Sequence, residues 1–279
     1  MSSVPTIELN DGREIPQLGV GVFQIPAEET ARTVAAALEI GYRHIDTAQG
    51  YRNERGVGDG VRASGLDRSE VFVTSKLDNR SHRPDDALTA FEGTLAQLGF
   101  DYVDLFLIHW PVPSLDFVAT WKTLEEFRSD GRARSIGVSN FEVEHLELLA
   151  RETGAVPAVN QIELHPHFQN REVAAFGRAH GILTEAWSPI AQGAALTDPA
   201  VVSIAARLGR SPAQVVLRWH IERGNAVIPK SIRPERMKEN FELFDFELTG
   251  DDRTAIDALD RGEAGRPGVH PNDVREDTW

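Results

Sequence analysis

The chain has 279 residues and a mass of 30.8 kDa, with 41% hydrophobic and 26% charged residues, a globular composition on the scale of one or two domains. Its net charge of −14 disfavours a nucleic-acid partner, and the absence of cysteine removes disulfides, zinc–thiolate sites, iron–sulfur clusters and thiol nucleophiles together. The basic residues are mostly arginine, with only Lys76, Lys122, Lys230 and Lys238 as lysines, and tyrosine occurs only at Tyr42, Tyr51 and Tyr102. A lysine or tyrosine inside a motif therefore carries weight.

In chain order, Met1–Pro5 lacks the basic-then-apolar pattern of a secretory signal, and no apolar run nears the ~20 residues of a membrane span. The expectation is a cytoplasmic protein with no membrane partner. Thr6–Leu18 holds Asp11-Gly12 between short extended pieces and reads as a hairpin. Eight short apolar runs follow: Val20–Phe23, Arg43–Thr47, Val71–Lys76, Asp104–His109, Ser135–Ser139, Ala158–Glu163, Ile182–Trp187 and Ala226–Pro229. Between them lie helical patterns such as Ala31, Val34, Ala35, Leu38 and Leu88, Phe91, Leu95, Leu98. Gly41, Gly99, Gly131, Gly154 and Gly181 stand where helices should stop.

Eight strand–helix units predict an α/β fold: one (β/α)8 TIM barrel domain over residues 1–279 with an N-terminal hairpin cap. A doubly wound open sheet is the alternative, disfavoured because no strand runs into G-x-G-x-x-G; Gly56–Gly60 reads as helix or loop. After Phe244 an extra helix is expected, with Thr249 and Asp252 as a capping box, then a tail to Trp279. Disorder of that tail is favoured over its folding across the barrel mouth.

Barrel chemistry sits at the C-terminal ends of the strands. Those ends carry Asp46, Lys76, His109, Ser139-Asn140, Gln161, Glu163, Trp187-Ser188 and Lys230-Ser231, with Tyr51 in the loop leaving the Asp46 strand. Asp46 can serve as counter-ion to Lys76. A lysine beside Tyr51 should pull the phenol below its usual ~10, and a neutral His109 could hydrogen-bond a carbonyl oxygen. Together they make a proton-donating site facing a carbonyl, without a hydride source of its own. Far along the chain, Lys230, Arg233, Arg236 and Lys238 crowd the start of a helix opened by Pro234, after the last strand, where barrels bind phosphate. His165-Pro166-His167 has metal-pair spacing but no nearby partners, so no metal is expected. Trp219 and His220 read as packing residues. His44 is expected to point away from Asp46, to the opposite face of its strand.

Gly41–Ala48 with Glu54 and Gly58, Arg134–Phe141, and Ile228–Ser231 through Arg236, Glu239 and Asn240 resemble, in order, the three signatures of the aldo-keto reductases. Val159–Glu163 and Ile108–Pro111 match as well, so the resemblance runs from Thr6 to about Asp260, closest to bacterial 2,5-diketo-D-gluconate reductase-like members. It implies NADPH-dependent reduction of aldehydes or ketones (small aldehydes, diketones, keto-sugars or keto acids). Tyr51 would be the general acid, Lys76 paired with Asp46 would tune it, and His109 would orient the carbonyl. Trp187 would stack on the nicotinamide, with Ser139, Asn140 and Gln161 on its carboxamide and Ser188 alongside. Lys230, Ser231 and Arg236 would take the 2′-phosphate, and Glu239 and Asn240 the adenine. Phe23, Trp110 and Gln192 would line the substrate pocket. Asp78 stands where many relatives carry tryptophan, which implies a smaller, more acidic pocket wall. A monomer is the family's usual state. The residues alone also allow a Schiff-base aldolase built on Lys76, or a non-enzymatic barrel that binds NADPH and regulates a partner.

Overall fold

The computed structural model describes residues 4–278; Met1–Ser3, part of the segment read for a signal, and Trp279, the end of the tail, lie outside them. A hairpin of β1 (Thr6–Glu8) and β2 (Glu14–Pro16) turns at Gly12, whose φ of 80° suits a residue without Cβ. Eight parallel strands follow: β3 (Val20–Gly21), β4 (His44–Asp46), β5 (Phe72–Leu77), β6 (Val103–Ile108), β7 (Ala133–Ser139), β8 (Val159–Glu163), β9 (Leu183–Trp187) and β10 (Ala226–Val227). They pair in sequence order, and the ring closes where Gly19 N donates to Val227 O (2.8 Å) and Val227 N to Gln17 O (2.9 Å). The expected (β/α)8 barrel and hairpin are both present.

The outer ring is α1 (Ala27–Ile40), α2 (Glu54–Ala63), α3 (Pro84–Leu98), α4 (Phe117–Ser129), α5 (Val143–Thr153), α6 (Arg171–Ala179), α7 (Pro199–Leu208), α8 (Pro212–Glu222), α9 (Pro234–Phe241) and α10 (Gly250–Asp257). Gly56, Gly58 and Gly60 lie in α2, where glycine permits close packing: a Cβ on Gly58 would stand 1.9 Å from Leu98 O. The extra helix α10 carries the expected Thr249–Asp252 capping box. On α3 Phe91 and Leu98 are buried as expected, whereas Leu88 is 43% exposed and Ala87 is buried in its place. Trp219 and His220 are buried on α8, packing residues as expected. No helix among the described residues is long and apolar enough to cross a membrane.

Two apolar layers hold the barrel. The larger lies between strands and helices, around Trp121, Phe91, Phe106 and Phe127. The smaller fills the barrel floor: Phe72, Leu105, Leu107 and Val159 from the strands meet Leu9 and Ile15 of the hairpin. The hairpin is therefore a plug. Because Ile15 is fully buried, Ile15→Ala is expected to cost about 2–5 kcal/mol, seen as a lower urea midpoint at unchanged slope. An unchanged midpoint would show that the plug adds no stability.

Candidate active site

The strand ends converge at the C-terminal mouth. The Asp46 carboxylate closes β4 and Lys76 sits near the end of β5, 2% and 0% exposed. Lys76 Nζ donates to Asp46 Oδ1 and Oδ2 (2.7 and 2.8 Å) and to Thr47 O (2.9 Å), and lies 3.5 Å from the Tyr51 hydroxyl. Tyr51 is carried on a 3-10 turn over Gln49–Tyr51, with its ring 5.8 Å from that of His109, the residue after β6. The four expected residues thus meet in one place. An ammonium has three hydrogens, and Asp46 and Thr47 engage all of them. That favours a protonated lysine and speaks against the aldolase alternative, which needs a neutral amine as nucleophile.

Electrostatics at the tetrad follow from burial. Burial opposes the Lys76 charge, but Asp46 and Tyr51 outweigh it and hold the ammonium above its ordinary range. For Tyr51 the sequence expectation is corrected: burial pushes the phenol above its ordinary value, and the pull of Lys76 only partly offsets this. The group keeps its proton through the neutral range and gives it up only when a partner takes it. Burial, with repulsion from Lys76 and His82, drops His109 well below 6.5, so the imidazole is neutral as expected.

A second layer lies just below. Gln161 Nε2 donates to Asp46 Oδ2 (2.8 Å) and to Glu185 Oε2 (2.6 Å). His44 Nε2 is 3.1 Å from Thr74 Oγ1 and 3.7 Å from Glu185 Oε1, and all of His44 is buried. His44 therefore shares the interior face with Asp46. Residues two apart on a strand point the same way, so the expectation of opposite faces is corrected. Glu185 was not among the expected residues. Its signal was available, since it stands two positions before Trp187 on the same strand face.

Around the rim, Ser139 Oγ donates to Gln161 O (2.8 Å), and Asn140 Nδ2 to His109 O and Ser139 Oγ (both 3.0 Å). Trp187 Nε1 donates to Asn140 Oδ1 (2.8 Å), which locks the indole against that amide. Asn140 and Ser188 have φ of 63° and 48°, strained conformations of the kind that cluster at functional sites. Phe23, 40% exposed, lies with its ring tilted 52° and 5.0 Å from that of Tyr51, as an open wall. Trp110 packs with Val112 and Val274 opposite. Gln192 lies in the exposed turn after β9. Asp78 is half-buried, caps the next turn through Arg80 N (3.0 Å) and stands beside Gly50, so a carboxylate does border the mouth.

The cationic stretch opens α9, with Pro234 in its first turn. Among the described residues Lys230, Arg233, Arg236 and Lys238 have no ion-pair partner, although most arginines of this acidic protein have one. Ser231 is nearly buried beside them, as is Asn240 further along α9, where Glu239 is half-buried. Lys230, Arg233 and Arg236 stand at the helix N-terminus and suit a phosphorylated ligand, whereas Lys238 lies in the last turn of α9.

The tail is a correction. It folds across the mouth: Gly268 N donates to Glu163 Oε2 (3.3 Å), Arg266 pairs with Glu142 (3.1 Å), Val274 is buried against Trp110, and Thr278 O accepts from Asn79 (3.3 Å). Glu163, unassigned from sequence, is a tail anchor. A Cβ on Gly268 would meet both Glu163 Oε2 (2.6 Å) and Trp187 (3.1 Å), which explains the glycine.

Known proteins share both this sequence pattern and this barrel. The Aldo/keto reductase family pattern matches residues 17–261, and the chain belongs to that family. It is 55% identical over 260 residues to an aldo-keto reductase of Mycolicibacterium smegmatis, covering 93% of this chain and 94% of the relative. It is 48% identical over 267 residues to the methylglyoxal reductase DkgA of Yersinia pestis, covering 94% and 95%. A crystal structure of a Gox0644 mutant in complex with NADPH superposes with a TM-score of 0.94 at 46% identity, covering 98% of this chain and all of that one.

Proposed function

We propose that the protein reduces small aldehyde or ketone carbonyls to alcohols with NADPH, Tyr51 acting as general acid. The observation that carries this is the Tyr51 hydroxyl 3.5 Å from a buried, carboxylate-paired Lys76 and next to a neutral His109. His109 orients the carbonyl oxygen by a hydrogen bond, and Tyr51 gives that oxygen its proton. Lys76 offsets the negative charge left on the phenol. NADPH, when bound, supplies the hydride. Trp187 offers it a flat face held by Asn140, and the unpaired cations of the α9 entrance suit its 2′-phosphate. Similarity to a methylglyoxal reductase and to a protein crystallised with NADPH supports the substrate and cofactor classes. Asp78 at the mouth favours neutral over anionic carbonyls.

The test is NADPH consumption across a panel of small aldehydes, diketones, keto-sugars and keto acids. Absence of turnover with intact NADPH binding would favour the regulatory alternative. Arg236→Ala is expected to weaken NADPH binding by about 1.5–3 kcal/mol while leaving NADH affinity unchanged, measured by fluorescence titration. Equal losses for both cofactors would remove the 2′-phosphate assignment.

A further inference from the structure

The reaction described above leaves one carboxyl of the barrel interior without a task. Glu185 is fully buried in the middle of β9, where it is paired in register with Gln161 of β8 and Ala226 of β10. The titratable groups facing it are His44 and Asp46 of β4 and Lys76 of β5, with Tyr51 above them; β8 sets Gln161 beside it and carries Glu163 two residues on, in register with Trp187, and β10 sets Ala226 on the other side. One amide nitrogen has two hydrogens, and Gln161 commits one to Asp46 (2.8 Å) and one to Glu185 (2.6 Å). An unbroken series then runs Glu185–Gln161–Asp46–Lys76–Tyr51. Glu185 Oε1 accepts no hydrogen bond among the described residues.

The charges beneath Tyr51 make the difference. Lys76 and Asp46 offset each other, and burial lowers His44 to about 3, so its ring is neutral and contributes no charge. An ionised Glu185 leaves one net negative charge below the phenol, and a protonated Glu185 leaves none.

We propose that Glu185 is a positioning residue of the catalytic network: it fixes Gln161 under Asp46, and its charge state sets how readily Tyr51 releases its proton. Burial and the neighbouring Asp46 push the Glu185 carboxyl up to about 8, inside the range where an assay can follow it. Its ionisation opposes proton donation, so carbonyl reduction slows as Glu185 loses its proton, before Tyr51 itself titrates.

The proposal rests on Tyr51 being the proton donor, and the experiment separates the two. Single-turnover reduction is followed against pH for the wild type, Glu185→Gln, Glu185→Met and Tyr51→Phe, with folding checked by circular dichroism. The wild-type rate is expected to fall by roughly fivefold or more as pH rises through the Glu185 transition, and either folded Glu185 variant to lose that step. With only three tyrosines, ultraviolet difference titration against Tyr51→Phe isolates the Tyr51 signal. It should show tyrosinate forming at lower pH in the Glu185 variants. A wild-type profile flat through that region overturns the proposal without any variant. So do coincident profiles and coincident tyrosinate titrations in wild type and variants. If Tyr51→Phe keeps full rate, the reading of Tyr51 fails and this proposal with it. If Tyr51→Phe is inactive and Glu185 is silent, only this proposal falls.

Discussion

Replacing Tyr51 by phenylalanine is expected to lower kcat for carbonyl reduction by about 100- to 10,000-fold, with the fold and NADPH affinity retained. The substitution is clean because of what surrounds the ring. Phe23 at 5.0 Å and His109 at 5.8 Å contact the aromatic body, which phenylalanine preserves. The hydroxyl is the fourth and longest contact of Lys76, whose three hydrogens Asp46 and Thr47 already engage. Deleting it strands no buried donor, so the stability change should stay within about 1 kcal/mol. What disappears is the hydroxyl poised between the ammonium and the neutral imidazole. His109 can still polarise a carbonyl, which accounts for a residual rate. Steady-state kinetics beside thermal unfolding provides the check. A variant within tenfold of the wild-type rate would mean that another group, or water, supplies the proton.

Much of this is legible in the amino-acid sequence. Apolar runs ending on ionisable residues revealed the barrel strands and its mouth together, because a strand leaving a dry interior must end on something polar where chemistry occurs. Asp46, Lys76 and His109 end such runs, Tyr51 lies in the loop leaving the first of them, and the scarcity of lysine and tyrosine sharpens the choice. The layer below is legible only in part: Gln161 stands near a strand end and His44 is visible but assigned to the wrong face, whereas Glu185 lies in mid-strand, where no strand end marks it. The two-residue period places His44 and Glu185 on the same faces as Asp46 and Trp187. The sign of the Tyr51 shift was also missed, since a neighbouring charge can be read from sequence whereas the degree of burial depends on packing. The tail was misjudged for a similar reason. Its polar and glycine-rich residues look like a solvated end, yet its anchors, Glu163, Glu142 and Asn79, come from distant parts of the chain.

Lys76→Met should be damaging in two separable ways. Lys76 and Asp46 are 0% and 2% exposed, so solvent does little to screen either. Removing the ammonium leaves the Asp46 carboxylate buried with Gln161 as its remaining side-chain donor, an uncompensated charge that should cost about 3–5 kcal/mol of stability. Asp46→Asn in the same chain removes that charge, so the double variant should regain much of the lost stability in urea titrations. Activity should not return with it. Without Lys76, burial and the carboxyls beneath the ring hold the Tyr51 phenol up with nothing to offset them, and the charge left by proton transfer has no counterpart, a loss on the order of 100-fold or more in kcat. The pH dependence has a definite sign. A lysine held above its ordinary range contributes stability that is fully present below the unfolded value of ~10.4 and is lost as pH rises through the raised folded value. The pair thus holds throughout the neutral range, and wild type and Lys76→Met should converge in stability only at strongly alkaline pH. If the double variant recovered activity along with stability, Lys76 would be a structural counter-ion alone, and the acidity of Tyr51 would have to come from elsewhere in the mouth.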